Sequence, residues 1–262
     1  MPNTYILKQL DGDLQVRIRP GDVVGYQIYT QGNFEPVETR WLREFLQPGM
    51  TFFDVGANLG VFTLLAAKCV GTTGSVHSFE PSPVMIEELR ANIALNALAN
   101  VNINGMAVAA EAGWAQFPRY ARGNEVYGTL GPRVWPGKRI VRYDRVQVTT
   151  LDEYVSAHNI AHVDLIKMDI EGAELLALKG ARNLLLSNMP PALLFELAEV
   201  NMKGMGYGCP DVLRFLGRLG YLFGFLTEAG VQLIQDVPDD LAVNTNVVAW
   251  RPDRTSVPNP VL

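Results

Sequence analysis

The chain has 262 residues, 48% of them hydrophobic and 19% charged, with a formal net charge of −5. That length can bury a large core without disulfide or metal staples, and the acidic balance supplies no basic field to gather nucleic acid or anionic lipid non-specifically. The two cysteines, Cys69 and Cys209, stand far apart in no metal-like spacing, which gives no disulfide framework and fits a reducing compartment.

The opening stretch MPNTYILKQLDGDLQV carries Lys8, Asp11 and Asp13 where a signal peptide needs an unbroken apolar run. Residues 1–50 hold two strand-like pieces and a helix over Glu38–Leu46, expected to pack as an N-terminal extension capping a domain over residues 51–262. From Thr51 onward, short β-branched or aromatic runs alternate with helical patterns, the signature of a parallel α/β sheet. TFFDV is the first strand, and Gly60–Val70 follows with Val61, Leu64, Leu65 and Cys69 at helical spacing. Val61–Val70 is also the longest apolar segment; Thr63 and Lys68 interrupt it, it is far shorter than a membrane span, and a cytoplasmic protein is expected.

GSVHSFEP reads as the second strand, stopped by Pro81-Ser82-Pro83, which starts a helix over Val84–Ala97. Val101–Val108 is the third strand. Between Gly113 and Val148 the pattern breaks into a Gly- and Pro-punctuated, locally basic excursion with Arg119, Arg122, Arg133, Lys138, Arg139, Arg142 and Arg145. It is read either as a solvated insert or as a lid or acceptor-binding surface. The core resumes with the strand Val163–Ile170, a helix over Glu171–Leu186 and a fifth strand from Pro191 to Glu196. A helix over Asp211–Leu219 and strands Tyr221–Leu226 and Asn246–Trp250 complete it.

In an open parallel sheet, ligands bind beyond the carboxyl ends of the strands. The first strand ends at Asp54, and Gly56-Ala57-Asn58-Leu59-Gly60 turns into the next helix, where glycine admits positive φ and close backbone approach. Glu80 ends the second strand, where a carboxylate can accept both hydroxyls of a ribose. A dinucleotide fingerprint would read G-x-G-x-x-G, but Asn58 stands at its second glycine. Asp54 suits a cationic ammonium and would repel a diphosphate, which favours S-adenosylmethionine over a dinucleotide. An NAD-linked oxidoreductase and a non-catalytic cofactor-binding module of the same fold remain the alternatives.

Six ordered segments carry a resemblance: GNFEP (Gly32–Pro36), PGMTFFDVGANLG (Pro48–Gly60), SFEPSP (Ser78–Pro83), TTLDEY (Thr149–Tyr154), LIKMDIEGAE (Leu165–Glu174) and LLFEL (Leu193–Leu197). Together they resemble the FkbM-type methyltransferases, a branch of the class I Rossmann-like methyltransferases, and LIKMDIEGAE is the most specific of them. The resemblance implies a seven-stranded, mostly parallel α/β sheet with an antiparallel last strand and helices on both faces. It also implies S-adenosylmethionine as methyl donor and O-methylation of a hydroxyl on a saccharide or natural-product-like small molecule. The excursion matches none of these motifs.

On this reading the cofactor set is Asp54, Gly56, Asn58, Gly60 and Glu80, joined by Asp169 and Glu171, with Asn104 and Met106 as weaker candidates beside the adenine. Asp169, at the end of the fourth strand, also stands where the reaction centre is expected. Glu171 and Glu174 are expected in the first turn of the following helix, where the macrodipole favours carboxylates in any case. Deprotonating an alcohol calls for a positioned base. His77 lies within a strand, and His158 and His162 precede the fourth strand on the wrong edge of the sheet. Glu196, at the carboxyl end of the fifth strand, is the better base, with Glu35 of GNFEP as second choice. Asp169, Glu171 and Glu196 carry the oxygen chemistry of a Mg²⁺ site, but spacing does not show that they converge, and no metal is assigned.

Overall fold

The computed structural model describes residues 4–131, 135–187, 189–253 and 260–261. The chain opens with a hairpin, β1 (Ile6–Asp11) and β2 (Leu14–Ile18), followed by α1 (Val23–Gln31) and α2 (Pro36–Phe45). Next come β3 (Thr51–Val55), α3 (Val61–Val70), β4 (Ser75–Phe79), α4 (Pro83–Leu95), β5 (Val101–Asn104) and β6 (Met106–Val108). The excursion is built on β7 (Gly113–Tyr120) and β8 (Ile140–Thr149), and α5 (Leu151–Ala157) leads out of it. Then follow β9 (Leu165–Met168), α6 (Glu174–Lys179), α7 (Arg182–Leu185), β10 (Ala192–Ala198), α8 (Glu199–Gly204) and α9 (Cys209–Arg218). The chain finishes with β11 (Leu222–Thr227), β12 (Gly230–Leu233), β13 (Asn244–Trp250) and β14 (Pro260–Val261).

Nine strands form the main sheet in the order β14-β12-β11-β13-β10-β9-β3-β4-β5. From β10 to β5 the pairs are all parallel, and β13 inserts antiparallel between β10 and β11. The seven strands expected from the sequence are therefore present, and β12 and β14 extend the β11 edge by two more. Side chains alternate strictly across the sheet. Phe52, Val76, Leu165, Leu194 and Val248 pack into the core beneath α2 and α3. Phe53, Phe79, Ile166, Phe195 and Val247 face the opposite core, which α5, α6 and α9 cover.

Local chemistry sets the boundaries. Pro83 starts α4, and Ser82 caps it by accepting the Met85 N–H at 3.4 Å. Thr150 caps α5 by accepting the Glu153 N–H at 3.0 Å. Two expected elements are broken. The third strand divides at Gly105: β5 stays in the main sheet, while β6 pairs with β8 in a separate three-stranded sheet completed by β7. The helix expected over Glu171–Leu186 becomes α6 and α7: it starts only at Glu174, because Glu171 and Gly172 have positive φ, and it is interrupted at Gly180, which packs against the Ala109 carbonyl. The helix α1 was not expected, since VVGYQIYTQ is rich in β-branched and aromatic residues; burial of Val24, Gly25 and Ile28 decides it. Among the described residues no helix is long and apolar enough to cross a membrane.

The N-terminal hairpin is held to the sheet layer by the burial of Leu14, Val16 and Ile18 and by polar contacts with α4, among them Asn96 with Gln15, Arg17 with Glu88, and Asn92. Buried Asn92 of α4 accepts the Arg17 N–H at 2.7 Å and donates to the Leu59 carbonyl at 2.8 Å, so it joins β2, α4 and the turn before α3. Asn92→Ala leaves both backbone groups without this partner and is expected to lower stability by about 2–4 kcal/mol. A urea midpoint indistinguishable from wild type would show that the hairpin is held by other contacts.

Candidate functional site

Two polar levels cross the face of the sheet beneath α3. On the lower level the register places Ser78, Asp54 and Lys167 side by side on β4, β3 and β9. Two residues further on, beyond the strand ends, come Glu80, Gly56 and Asp169, and Glu196 lies level with Asn246 on β10 and β13. A cavity of about 280 Å³ opens over these strand ends. Gly56, Asn58, Gly60, Glu80, Asp169, Glu171, Glu196 and Glu35 all line it, so eight of the expected site residues are brought together.

The turn explains its own sequence. Gly56 has φ +89°, and a Cβ there would lie 2.0 Å from the Asp169 carbonyl, so only glycine lets β3 and β9 end this close together. Asn58 has φ 51°, and its side-chain oxygen accepts the Leu59 N–H at 2.8 Å. Glu80 is buried beneath the turn, where one carboxylate oxygen accepts the Asn58 N–H at 2.9 Å and the other the Ser82 N–H at 2.8 Å. Burial outweighs these two bonds and raises its pKa to about 7.

Asp54 has a different place from the one expected. It is fully buried below the turn and does not line the cavity; Thr63 of α3 donates to it at 2.6 Å and also contacts the Ser78 hydroxyl at 2.8 Å. Its other carboxylate oxygen has no hydrogen-bond partner among the described residues. The charge facing it is Lys167, which the sequence reading overlooked. Lys167 is 5% exposed, donates to Asp169 at 3.3 Å and lies 4.3 Å from the centre of the Phe62 ring. Burial opposes its charge, but the Asp169, Asp54 and Glu35 carboxylates prevail and hold its pKa above the ordinary lysine range. The signal was present: a lysine in the middle of an otherwise apolar strand, two residues before Asp169, points to the same face as Asp169.

Beside Lys167 and Asp169 stands the start of α2. Glu35 has φ 45° just before Pro36, and burial raises its pKa to about 8, against the pull of Lys167. Glu38 accepts the side-chain N–H of Asn246 at 2.7 Å. Glu196 is pushed up to about 7, mainly by burial and then by Asp169. The segment after β9 departs from expectation as well. Glu171 has φ 55° and lies in a turn rather than a helix, and Asn201 donates to its carboxylate at 2.7 Å. Gly172 has φ 97°, and a Cβ there would meet Asn201 at 2.7 Å. Glu174 does begin a helix but is fully buried, accepting the Ile170 and Gly172 N–H groups at 3.1 and 3.3 Å, so it fixes the turn instead of facing solvent.

Of the weaker candidates, Met106 lines the cavity, whereas Asn104 donates to the Ser78 carbonyl at 3.3 Å outside it. None of the three histidines reaches the cavity. His77 contacts the Tyr154 hydroxyl at 2.8 Å, His158 stacks on Tyr154, and His162 lies 3.4 Å from Asp164. The excursion lends the cavity Phe117, Glu125, Val126, Gly128, Thr129 and Leu130, and none of its described arginines; Arg133 lies outside the described residues. Among the described residues, no three His, Cys, Asp or Glu side chains gather as a metal-binding group, so Asp169, Glu171 and Glu196 do not converge in that way.

A parallel sheet with an inserted antiparallel strand, and a cavity at its carboxyl ends beside a Gly-rich turn, define the class I Rossmann-like methyltransferase fold. The chain belongs to the FkbM methyltransferase family: the methyltransferase FkbM domain matches residues 54–223. It is 31% identical over 163 residues to the 31-O-demethyl-FK506 methyltransferase FkbM of Streptomyces tacrolimicus, a match covering 53% of this chain and 62% of that protein. It is 26% identical over 187 residues to methyltransferase sdnD of Sordaria araneosa, covering 59% of this chain and 72% of that one. The crystal structure of methyltransferase FkbM from Methylobacillus flagellatus KT superposes with a TM-score of 0.50 at 17% identity, covering 81% of this chain and 50% of that chain. The chain thus spans less than two thirds of the first relative and half of the solved structure.

Burial gives Glu174 a pKa of about 8, above that of the unfolded chain, so between these two values the unfolded state holds fewer protons and stability falls as pH rises. Glu174→Gln keeps an acceptor for the turn and removes the ionisation. The decline in urea midpoint from about pH 5 to about pH 8 is expected to become shallower in this variant. An unchanged slope would show that Glu174 ionises in the folded state without penalty.

Proposed function

We propose that the chain is an S-adenosylmethionine-dependent methyltransferase that methylates a hydroxyl of a saccharide or natural-product-like small molecule. The carrying observation is Glu80: a buried carboxylate at the end of β4, fixed by two backbone N–H groups and facing a cavity whose turn is built on Gly56 and Gly60. Each of its oxygens keeps acceptor capacity for a ribose hydroxyl. The turn at Gly56–Gly60 presents backbone at the start of α3 to a carboxylate, and Asp169 and Glu171 offer acceptors for an ammonium. Pro81, Met106 and Ala107 give an apolar slot for a base beyond Glu80.

A diphosphate suits this site poorly. Gly56 faces the end of β9 rather than open space, Asn58 stands at the second glycine, and Glu80, Asp169 and Glu171 surround the turn with like charge. These features favour the methionine-bearing cofactor over NAD.

When bound, S-adenosylmethionine supplies an electrophilic methyl group on a sulfonium, with a thioether as leaving group. The chain then has to orient the acceptor oxygen and receive its proton. Glu196 and Glu35 flank the wall formed by Asp169 and Lys167, and their raised pKa values lie close to neutral pH, where a general base works best. In this assignment a Glu196 carboxylate oxygen takes the acceptor proton as the new carbon–oxygen bond forms, and Lys167 fixes the orientation of Asp169 beside it. The relative named as a 31-O-demethyl-FK506 methyltransferase supports a small-molecule acceptor rather than nucleic acid or membrane.

Glu80→Ala is expected to weaken S-adenosylhomocysteine binding by about 1.5–3 kcal/mol, the scale of lost charge-assisted hydrogen bonds. Unchanged affinity in calorimetry removes Glu80 from the site, and stabilisation of the wild-type chain by NAD alone in a thermal-shift titration removes the methyltransferase reading. Glu196→Gln is expected to lower turnover about 10²-fold or more with little change in cofactor affinity. A fall in cofactor affinity instead would make Glu196 a cofactor ligand.

A further inference from the structure

Two segments outside the main sheet complete the cavity. One is α1, which contributes Val23, Val24 and Gln27; the other lies between β7 and β8 and contributes Val126, Thr129 and Leu130. A buried side chain joins them. Arg19, 3% exposed just before α1, places Nε 2.7 Å from Asp22 and Nη2 3.3 Å from Glu125, 106 positions further along the chain. The second Glu125 oxygen accepts the Gly123 N–H at 2.7 Å. The Arg19 carbonyl in turn accepts the Asp22 N–H at 3.0 Å, and a Cβ on Gly25 would lie 2.1 Å from that oxygen. The backbone of Arg19 is thereby fixed to the first turn of α1 while its guanidinium reaches across to the excursion.

Apolar burial holds each segment only modestly. α1 buries Val24, Gly25 and Ile28 alone, and it ends at Gly32, whose φ of 76° is left-handed and whose Cβ position faces open space. The helical turn Glu125–Tyr127 buries none of its residues. The ion cluster also stands next to the cofactor turn. Arg19, Asp22 and Glu125 line a crevice with Asn58 and Leu59, and the Asn58 N–H is one of the two that grip Glu80. A ligand that fills the cavity touches both segments, so its departure has to part them. Parting them leaves Arg19 and Glu125, both buried, without each other, which costs more than breaking an exposed pair.

We propose that Arg19 is a positioning residue for cofactor retention: by tying α1 to the excursion through Glu125 it holds the cavity closed over bound S-adenosylmethionine, and cofactor exchange requires that tie to release. This rests on the methyltransferase reading and adds to it the device that sets how long the cofactor stays. The tie acts after encounter, so it governs the dissociation rate rather than the association rate.

Stopped-flow binding of S-adenosylhomocysteine to the full chain, with amide hydrogen exchange on the same samples, tests it. In the wild type, S-adenosylhomocysteine is expected to protect residues 22–32 and 123–130 together. Glu125→Gln keeps an acceptor for the Gly123 N–H and removes the charge facing Arg19. It is expected to raise the dissociation rate about tenfold with little change in association, and to speed exchange in both segments. Arg19→Met is expected to do the same, the double variant no more than either single one, and Arg19→Lys to restore part of the slow dissociation. A folded Glu125→Gln or Arg19→Met variant whose dissociation rate is unchanged overturns this proposal alone, as would be seen if the pair were merely structural. Where neither variant folds, the wild-type exchange pattern decides, and protection of only one segment overturns the proposal. Absence of S-adenosylhomocysteine binding to the wild type overturns the methyltransferase reading, and this proposal with it.

Discussion

The burial of one ammonium organises the centre of this molecule. Lys167 stands in the middle of β9, on a strand buried on both faces, where an unpaired charge would be untenable. It persists because Asp169 accepts its hydrogen bond, Asp54 and Glu35 face it, and the Phe62 ring lies against it. Asp169, Glu35 and Phe62 line the cavity, and Asp54 lies buried beneath its turn. Asp54 ties the end of β3 to α3 through Thr63, Asp169 stands just beyond the carboxyl end of β9, and Glu35 starts α2. The floor of the Gly-rich turn and the cavity wall therefore share one electrostatic centre. Moving any member changes the desolvation balance of the others.

Around that centre the backbone is held in conformations that ordinary residues avoid. Glu35, Asn58 and Glu171 all have positive φ and all line the cavity. Left-handed non-glycine residues persist only where neighbouring contacts fix them. Here the supports are visible: Pro36 and α2 follow Glu35, the Asn58 side chain caps its own turn, and Asn201 holds Glu171. The outward-facing polar groups are thus set by buried ones, as Glu174 shows by gripping two backbone N–H groups to shape the turn that presents Glu171. Rigidity of this kind suits a reaction in which the chain's main task is alignment.

The excursion between β7 and β8 shows how composition misleads about a site. Its arginines suggest a basic surface, yet the described part that reaches the cavity is Phe117 of β7 with Glu125, Val126, Gly128, Thr129 and Leu130 from between the strands, none of them basic. Phe117 and Val146 point inward with Ala107 and Val148, while Trp114, Tyr143 and Arg145 are exposed. Strand periodicity sorts the two sets, and the sequence hid it because glycines and prolines interrupt the run between the strands.

Much of the architecture was legible in the chain alone. The alternation of buried strands and amphipathic helices, the turn at Gly56–Gly60, the carboxylate of Glu80 and the family motif at Leu165–Glu174 are local patterns, and local sterics and hydrophobic period determine them. Other features depended on which residues meet across long separations. α1 exists because its sparse apolar face is buried, and the third strand divides at Gly105 so that β6 can pair with β8. Asp54 sits under the turn instead of on the cavity wall because Thr63 and Lys167 lie there to receive it. Lys167 itself is a single letter in an apolar run until register sets it between Asp54 and the strand-end acids. The sequence determined the scaffold and the turn at its strand ends; only tertiary structure decided the charge balance of the cavity, because desolvation and pairing depend on neighbours far away along the chain.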